Sequence, residues 1–257
     1  MTENPNQNYP GIAYAADIIK ASSRAVVLTG AGISTASGIP DFRSPKSGLW
    51  QRYDPFEVAS LSSFRYQPEK FFKWIQPLFK DILKAKPNAA HIAIAELEAA
   101  GYVNKVITQN IDALHQKAGS HNVIEVHGTF NTLVCIGCYR KQPSSRYLEA
   151  YIQHAIIPTC PYCGKILKPN IILFGEQLPA KAWLLANEIS KSCDLMIVVG
   201  SSLEVLPVAS LPMRAIENGA HLIIINHSET YLDVRADVVF NQDASIILPI
   251  LVRQIVP

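Results

Sequence analysis

The chain has 257 residues, 49% hydrophobic and 17% charged, with a formal net charge of +2. That is the balance of an ordinary globular protein, not of a disordered one, and no run of like charge names a nucleic acid as partner. Residues 1–11 are polar, without the basic start or apolar stretch of an export signal, and the longest apolar runs, such as Leu195–Val199 and 246–252, are too short to cross a bilayer. A cytoplasmic protein is expected.

In chain order, a helix is predicted over 13–21, then a β-branched strand over 25–28 that runs into Gly30-Ala31-Gly32-Ile33-Ser34. Glycines there permit a tight turn and let backbone N–H groups approach a pyrophosphate at a helix start. Thr35 stands where the dinucleotide fingerprint has its third glycine, which weighs against an ordinary dinucleotide dehydrogenase. Asp41, Phe42 and Arg43 follow directly. An aromatic shield and a cation suit a dinucleotide whose glycosidic bond is broken, although a surface turn with an Asp–Arg pair is the plainer reading. Residues 44–86 then carry an aromatic-rich helical stretch around Phe71, Phe72, Trp74 and Phe79.

A helix over 89–100 stops at Gly101, and a strand over 103–108 ends at Gln109-Asn110-Ile111-Asp112. A helix over 111–118 stops at Gly119, and a strand over 123–126 ends at His127. The carboxyl ends of parallel strands share the ligand-binding edge, and a histidine there titrates near neutrality, so His127 can serve as general base toward a hydroxyl. His91, His115, His121, His154, His221 and His227 receive a structural reading, because none shares a strand end with an amide-carboxylate cluster and a phosphate loop.

Residues 128–169 hold the pairs Cys135/Cys138 and Cys160/Cys163, with 21 residues between them. Two such knuckles can set four thiolates tetrahedrally around one Zn²⁺; two disulfides or unrelated core cysteines are the alternative. Four protein ligands leave no open position for a substrate water, so this zinc is expected to hold a fold. Arg140, Lys141, Arg146, Lys165 and Lys168 against Glu149 suit the negative charge of such a site, while Tyr139, Tyr147 and Tyr151 are expected to pack. Cys193 reads as a small buried hydrophobe.

Beyond the cysteines come a helix over 180–190, a strand over 195–199 followed by Gly200-Ser201-Ser202, a helix over 208–218 stopped by Gly219, a strand over 222–225 followed by Asn226, and a strand over 237–240. The hydroxyls and the amide can meet a ribose and an adenine. Strands alternating with helices predict an α/β, Rossmann-like parallel sheet covered on both faces. It comprises 11–43, 87–127 and 170–257, interrupted by the helical insertion 44–86 of a small domain and by the zinc-ribbon insertion 128–169.

Taken together, GAGISTASGIPDFRS (30–44), TQNIDALHQKAG (108–119), EVHG (125–128), both cysteine pairs, KPNIILFGEQLP (168–179), GSSLEV (200–205) and IIINHSE (223–229) resemble the sirtuins, NAD-dependent protein lysine deacylases, in their prokaryotic-type deacetylase form. The likeness runs over nearly all of 11–252. It implies an acyl-lysine peptide and NAD meeting in a cleft between the two domains, with nicotinamide, free lysine and O-acyl-ADP-ribose as products and an alkylimidate on the way. It assigns catalysis to His127 and Asn110. NAD contacts fall to Gly30, Ala31, Gly32, Ser34, Thr35, Asp41, Phe42 and Arg43, to Gln109, Asn110, Ile111 and Asp112, and toward the nucleoside end to Gly200, Ser201, Ser202, Asn226 and Ala244. The substrate backbone pairs with Ile172, Phe174, Gly175 and Glu176 on one side and Leu203, Glu204 and Val205 on the other.

Desuccinylating sirtuins hold the acyl carboxylate with a Tyr-x-x-Arg pair; the stretch from Phe72 to Phe79 lacks it, so an apolar acyl pocket is expected. The partners are acylated proteins or peptides, with no membrane and no nucleic acid. A protein ADP-ribosyltransferase using the same NAD cleavage is the alternative. A non-enzymatic NAD sensor or zinc-ribbon nucleic-acid binder is disfavoured, because it would not need His127, Asn110 and Asp112 together.

Overall fold

The computed structural model describes residues 9–44 and 48–256. The reading of residues 1–11 therefore rests largely on positions outside the described residues, as do 45–47 of the helical insertion. Helix α1 (Ile12–Ala21) leads into β1 (Ala25–Thr29), which ends in a 3-10 turn, Ala31–Ser37. The aromatic stretch folds as α2 (Pro55–Val58), α3 (Leu61–Tyr66) and α4 (Pro68–Lys84). Asp54 and Ser60 cap the first two through their side chains, and proline opens α2 and α4, where a missing N–H costs nothing.

Then follow α5 (Ala89–Ala99), β2 (Lys105–Thr108), α6 (Leu114–Ala118) and β3 (Val123–Glu125). The cysteine segment contains β4 (Gly128–Cys135), β5 (Lys141–Pro143), α7 (Ser145–His154) and β6 (Leu167–Ile171). The chain closes with α8 (Ala180–Ser192), β7 (Leu195–Val199), α9 (Leu211–Glu217), β8 (His221–Ile225), β9 (Val238–Phe240) and α10 (Ala244–Ile255).

The large sheet runs β3-β2-β1-β7-β8-β9, with every pairing parallel. Every residue of β1 and β7 is buried, as unbroken β-branched runs must be when helices cover both faces. One face packs on α1, α5 and α10, the other on α8 and α9. Chain order reverses between β1 and β7, and such a switch point opens a crevice at the strands' carboxyl ends.

The second sheet, β5-β4-β6, is antiparallel. The helical insertion and the cysteine segment share one core: Phe72 and Phe79 of α4 pack on Tyr151 of α7, Phe79 also meets Phe130 of β4, and the Tyr151 hydroxyl donates to the Phe72 carbonyl. Tyr147 packs beneath the cysteines, but Tyr139 is 77% exposed in a left-handed turn, contrary to expectation. Among the described residues no helix is long and apolar enough to cross a membrane.

Three elements depart from the sequence reading. The helix expected over 111–118 starts only at Leu114, because the Asp112 carboxylate takes the Leu114 N–H and leaves Ile111 and Asp112 in a loop. The helix expected over 208–218 is a 3-10 turn, Val208–Ser210, followed by α9, with Pro212 at its start. The run 246–252, read only as too short for a membrane, lies inside α10, where Asp243 supplies the cap and buried Leu248 and Leu251 seat it on the sheet.

Candidate active site

At the crevice two turns cross backbone to backbone. Gly30 N–H donates to Val199 O at 3.0 Å and Gly32 N–H to Gly200 O at 2.9 Å. A Cβ on Gly32 would lie 2.8 Å from the Gly200 Cα, so the glycines serve this crossing before they serve any ligand. A cavity of about 930 Å³ opens here and reaches across to the small sheet and α4.

Nearly every expected site residue lines it. Gly30, Ala31, Gly32 and Ser34 form one wall, and Gln109, Asn110, Ile111 and Asp112 form the next with His127. Gly200, Ser201, Ser202 and Asn226 close the far end, with Asp41, Phe42 and Arg43 above. Ile172, Phe174, Gly175, Glu176, Glu204 and Val205 edge the mouth. Three expected residues are elsewhere. Thr35 points to solvent and bonds Gly32 O at 2.9 Å, Leu203 is buried in the core under α8, and Ala244 begins α10 against the sheet. In the latter two the side chain is buried, which leaves only the backbone to meet a ligand.

The polar groups are locked together. Asn110 Nδ2 donates to Gly30 O at 3.0 Å and to Ser34 Oγ at 3.2 Å, and Ser34 Oγ donates to Asp112 Oδ2 at 2.7 Å. Burial raises the Asp112 carboxyl above its ordinary value, opposed by the Leu114 and Ser34 hydrogen bonds. Gln109 Nε2 donates to Ser201 Oγ at 3.0 Å, tying β2's end to β7's.

His127 Nδ1 lies 3.1 Å from Gln109 O. A carbonyl only accepts, so Nδ1 carries the proton and Nε2 keeps a lone pair. Burial lowers the His127 pKa, helped by the Arg43 charge and opposed by the Gln109 bond. The ring is thus a neutral base at pH 7.

Asp41, Phe42 and Arg43 line the cavity, and the Asp41 and Arg43 side chains do not pair with each other as a plain surface turn would have them. Asp41 takes the backbone N–H groups of Arg43 and Ser44 at 2.9 and 2.7 Å, bracing the loop from within. The Arg43 guanidinium instead meets Glu204 at 3.0 Å across the cavity. Phe42 stacks on Trp50 at 5.1 Å, and Trp50 on Trp74 at 5.7 Å.

Sequence reasoning expected an apolar acyl pocket but named only Trp74 of the residues at the apolar end of this cavity, where Trp74, Leu78 and Ile82 of α4 join Ile75 and Ile39. Their i, i+4, i+8 spacing was the available signal. It also missed Glu229 and, given a structural reading, His227, both of which line the Asn226 end.

The four cysteine Sγ atoms lie within 4.8 Å of one another, with Cys135 to Cys163 at 3.4 Å and Cys138 to Cys160 at 3.6 Å. Tetrahedral Zn–S bonds of about 2.3 Å need sulfurs about 3.8 Å apart, so the set fits one zinc. The backbone N–H groups of Gly137 and Cys138 point at Cys135 Sγ at 3.3 and 3.4 Å, favouring the thiolate a metal requires.

The sequence profile of the Sir2 family matches residues 30–207. An NAD-dependent protein deacylase 2 of Archaeoglobus fulgidus is 47% identical over 95% of this chain and 96% of its own length. An NAD-dependent protein deacetylase of Thermodesulfovibrio yellowstonii is 45% identical over 90% of each. Among solved structures, a Sir2 enzyme studied for mechanism and regulation superposes with a TM-score of 0.89 at 46% identity, covering 95% of this chain and 97% of that one. A Sir2 complex with p53 peptide and NAD+ gives 0.86 at 38% identity, covering 95% and 98%.

Proposed function

The chain belongs to the Sir2 family, and from that premise we propose that it removes acetyl and other apolar acyl groups from protein lysines, consuming NAD and giving nicotinamide and O-acetyl-ADP-ribose. NAD supplies a ribose carbon made electrophilic by its nicotinamide leaving group. The observation that carries the reading is the His127 ring, fixed by Gln109 O with Nε2 unprotonated in the cavity that Asn110, Ser34 and Asp112 also line.

In this reading His127 Nε2 accepts a proton from a ribose hydroxyl as that hydroxyl attacks the acyl carbon. Asn110 orients the ribose, and Ile111 and Asp112 hold the nicotinamide carboxamide. Ala31, Ser34 and Arg43 attend the phosphates, Arg43 exchanging Glu204 for the anion. Gly200, Ser201 and Asn226 meet the nucleoside end. Phe42, backed by Trp50, keeps water from the reacting carbon. The peptide adds as a strand between Ile172–Glu176 and Glu204–Val205, where main-chain pairing gives affinity and little sequence preference.

The acyl group enters toward Trp74, Ile75 and Leu78. Among the described residues that line the cavity Arg43 is the sole Lys or Arg, so the apolar end holds no cation for a carboxylate. The cysteines hold one structural zinc. A cytoplasmic location accords with four thiols kept reduced for that metal.

The test is mass spectrometry of an acetyl-lysine peptide incubated with protein and NAD. Matched amounts of deacetylated peptide, nicotinamide and O-acetyl-ADP-ribose are expected. ADP-ribose attached to protein, with the peptide still acetylated, overturns the reading.

A further inference from the structure

Behind the crevice lie two histidines that this reaction leaves unused. His91 on α5 and His115 on α6 are both buried, and their rings meet edge to face with centroids 5.0 Å apart. Burial lowers His91 to about 4, and burial together with the neighbouring His91 lowers His115 to about 3, so both are neutral at pH 7.

Their protons can be placed by donor and acceptor logic. Asn88 N–H donates to His91 Nδ1 at 3.4 Å, so His91 carries its proton on Nε2. His115 Nε2 meets Thr29 Oγ1 at 3.0 Å, Thr29 Oγ1 meets Thr108 Oγ1 at 2.8 Å, and Thr108 Oγ1 accepts the Asn110 backbone N–H at 3.1 Å. Among the described residues, His91 Nε2 and His115 Nδ1 are buried imidazole nitrogens without a hydrogen-bond partner. The two rings therefore meet by edge-to-face packing, and the hydrogen-bonded link runs from His115 through the two threonine hydroxyls.

The chain's other end reaches the phosphate side. Asn88 Nδ2 donates to Ile33 O at 2.7 Å and to Ser37 Oγ at 3.0 Å, both on the Ala31–Ser37 turn. Asn110 Nδ2 returns to that turn through Gly30 O and Ser34 Oγ. A polar circuit thus runs from His115 through Thr29, Thr108 and Asn110 to the turn, while Asn88 ties His91, packed on His115, to the same turn.

We propose that His115, packed against His91, is a positioning residue: its hydrogen bond to Thr29, relayed through Thr108, fixes the Asn110 strand end against the Ala31–Ser37 turn, setting the cofactor crevice before NAD arrives. An apolar pair of the same volume would fill the space without setting that distance. The inference rests on the reading of Asn110 and the 30–34 turn as NAD contacts.

Three variants test it. His115→Gln keeps an N–H near the Nε2 position, His115→Met keeps volume alone, and Thr29→Val removes the next link without changing shape. In the ligand-free protein the Asn110 amide resonance should move in His115→Met and Thr29→Val and stay near wild type in His115→Gln. In turnover the KM for NAD should rise about tenfold in the first two, with the peptide KM unchanged and no further rise in their double variant. If His115→Met does not fold, Thr29→Val against Thr29→Ser carries the same comparison. Equal behaviour of His115→Gln and His115→Met, an unmoved Asn110 amide, or an additive double variant overturns the proposal. Wild-type protein that releases no nicotinamide from NAD and acetyl peptide rejects the functional reading instead, and the Asn110 resonance still decides the circuit.

Discussion

The six-stranded sheet buries every residue of β1 and β7 between two helical layers, whereas β4, β5 and β6 cover a core of only Leu133, Cys135, Cys160 and Leu167. Burying a large aliphatic side chain gives about 1.5–3 kcal/mol, and ordering each residue's backbone costs about 1–2 kcal/mol. The large sheet meets that cost from its own sequence. The small one does not, and it depends on a metal and on the aromatic core it shares with α4. The catalytic crevice lies where the two regions meet, so its residues inherit one rigid wall and one conditional wall.

The most severe way to test this contrast is to remove the zinc. Structural zinc is worth about 10–16 kcal/mol in small metal-folded peptides. Cys135→Ala or Cys160→Ala should therefore abolish bound zinc and deacylation and strip β4–β6 of hydrogen-exchange protection, while β1 and β7 stay protected. Metal-free protein that keeps β4–β6 protected and stays active would show the contrast to be wrong.

Within the rigid wall, His127→Ala should lower turnover by about 10²–10⁴-fold while zinc content, melting temperature and NAD affinity persist. Steady-state kinetics beside calorimetric NAD titration separates these effects. Near-normal turnover would remove His127 from the role of base. Burial holds its pKa below the ordinary 6.5, so the acid limb of kcat/KM should lie below pH 6.5.

On the proposed reading, acyl choice is set at the α4 side of the crevice. A succinyl carboxylate against Trp74, Ile75 and Leu78 finds no partner, and its desolvation should cut kcat/KM by on the order of 10²-fold or more relative to acetyl. Butyryl carries no such penalty and should be accepted. Arg52 and Arg65 do not line the cavity, so equal succinyl and acetyl rates would mean that Arg43 leaves Glu204 and swings to the acyl end.

The last effect concerns pH and the rigid wall. His91 and His115 have folded pKa values of about 4 and about 3 against an ordinary 6.5. Below 6.5 the unfolded chain binds protons that the folded chain refuses, so stability falls with falling pH down to those folded values and is independent of these groups above 6.5. The slope should be about 1.4 kcal/mol per pH unit for each histidine. Urea unfolding at pH 7.5, 6 and 5 measures it. A flat profile would mean that the pair is not buried neutral.

The primary sequence determined the parallel sheet, the zinc-binding set and most of the crevice. Each rests on a short-range signal: a β-branched run such as Leu195–Val199, a Cys-x-x-Cys knuckle, or a strand end such as Asn110 or His127, which topology alone carries to the ligand edge. Tertiary structure decided what depends on distant partners. The Leu203 and Ala244 side chains pack into the core, and Arg43 sits two residues from Asp41 yet pairs with Glu204. The Ile111–Asp112 loop exists because one carboxylate competes for a helix N–H. His91 and His115, 24 positions apart in sequence, touch only because α5 and α6 pack on one face, and nothing local in either helix signals that contact.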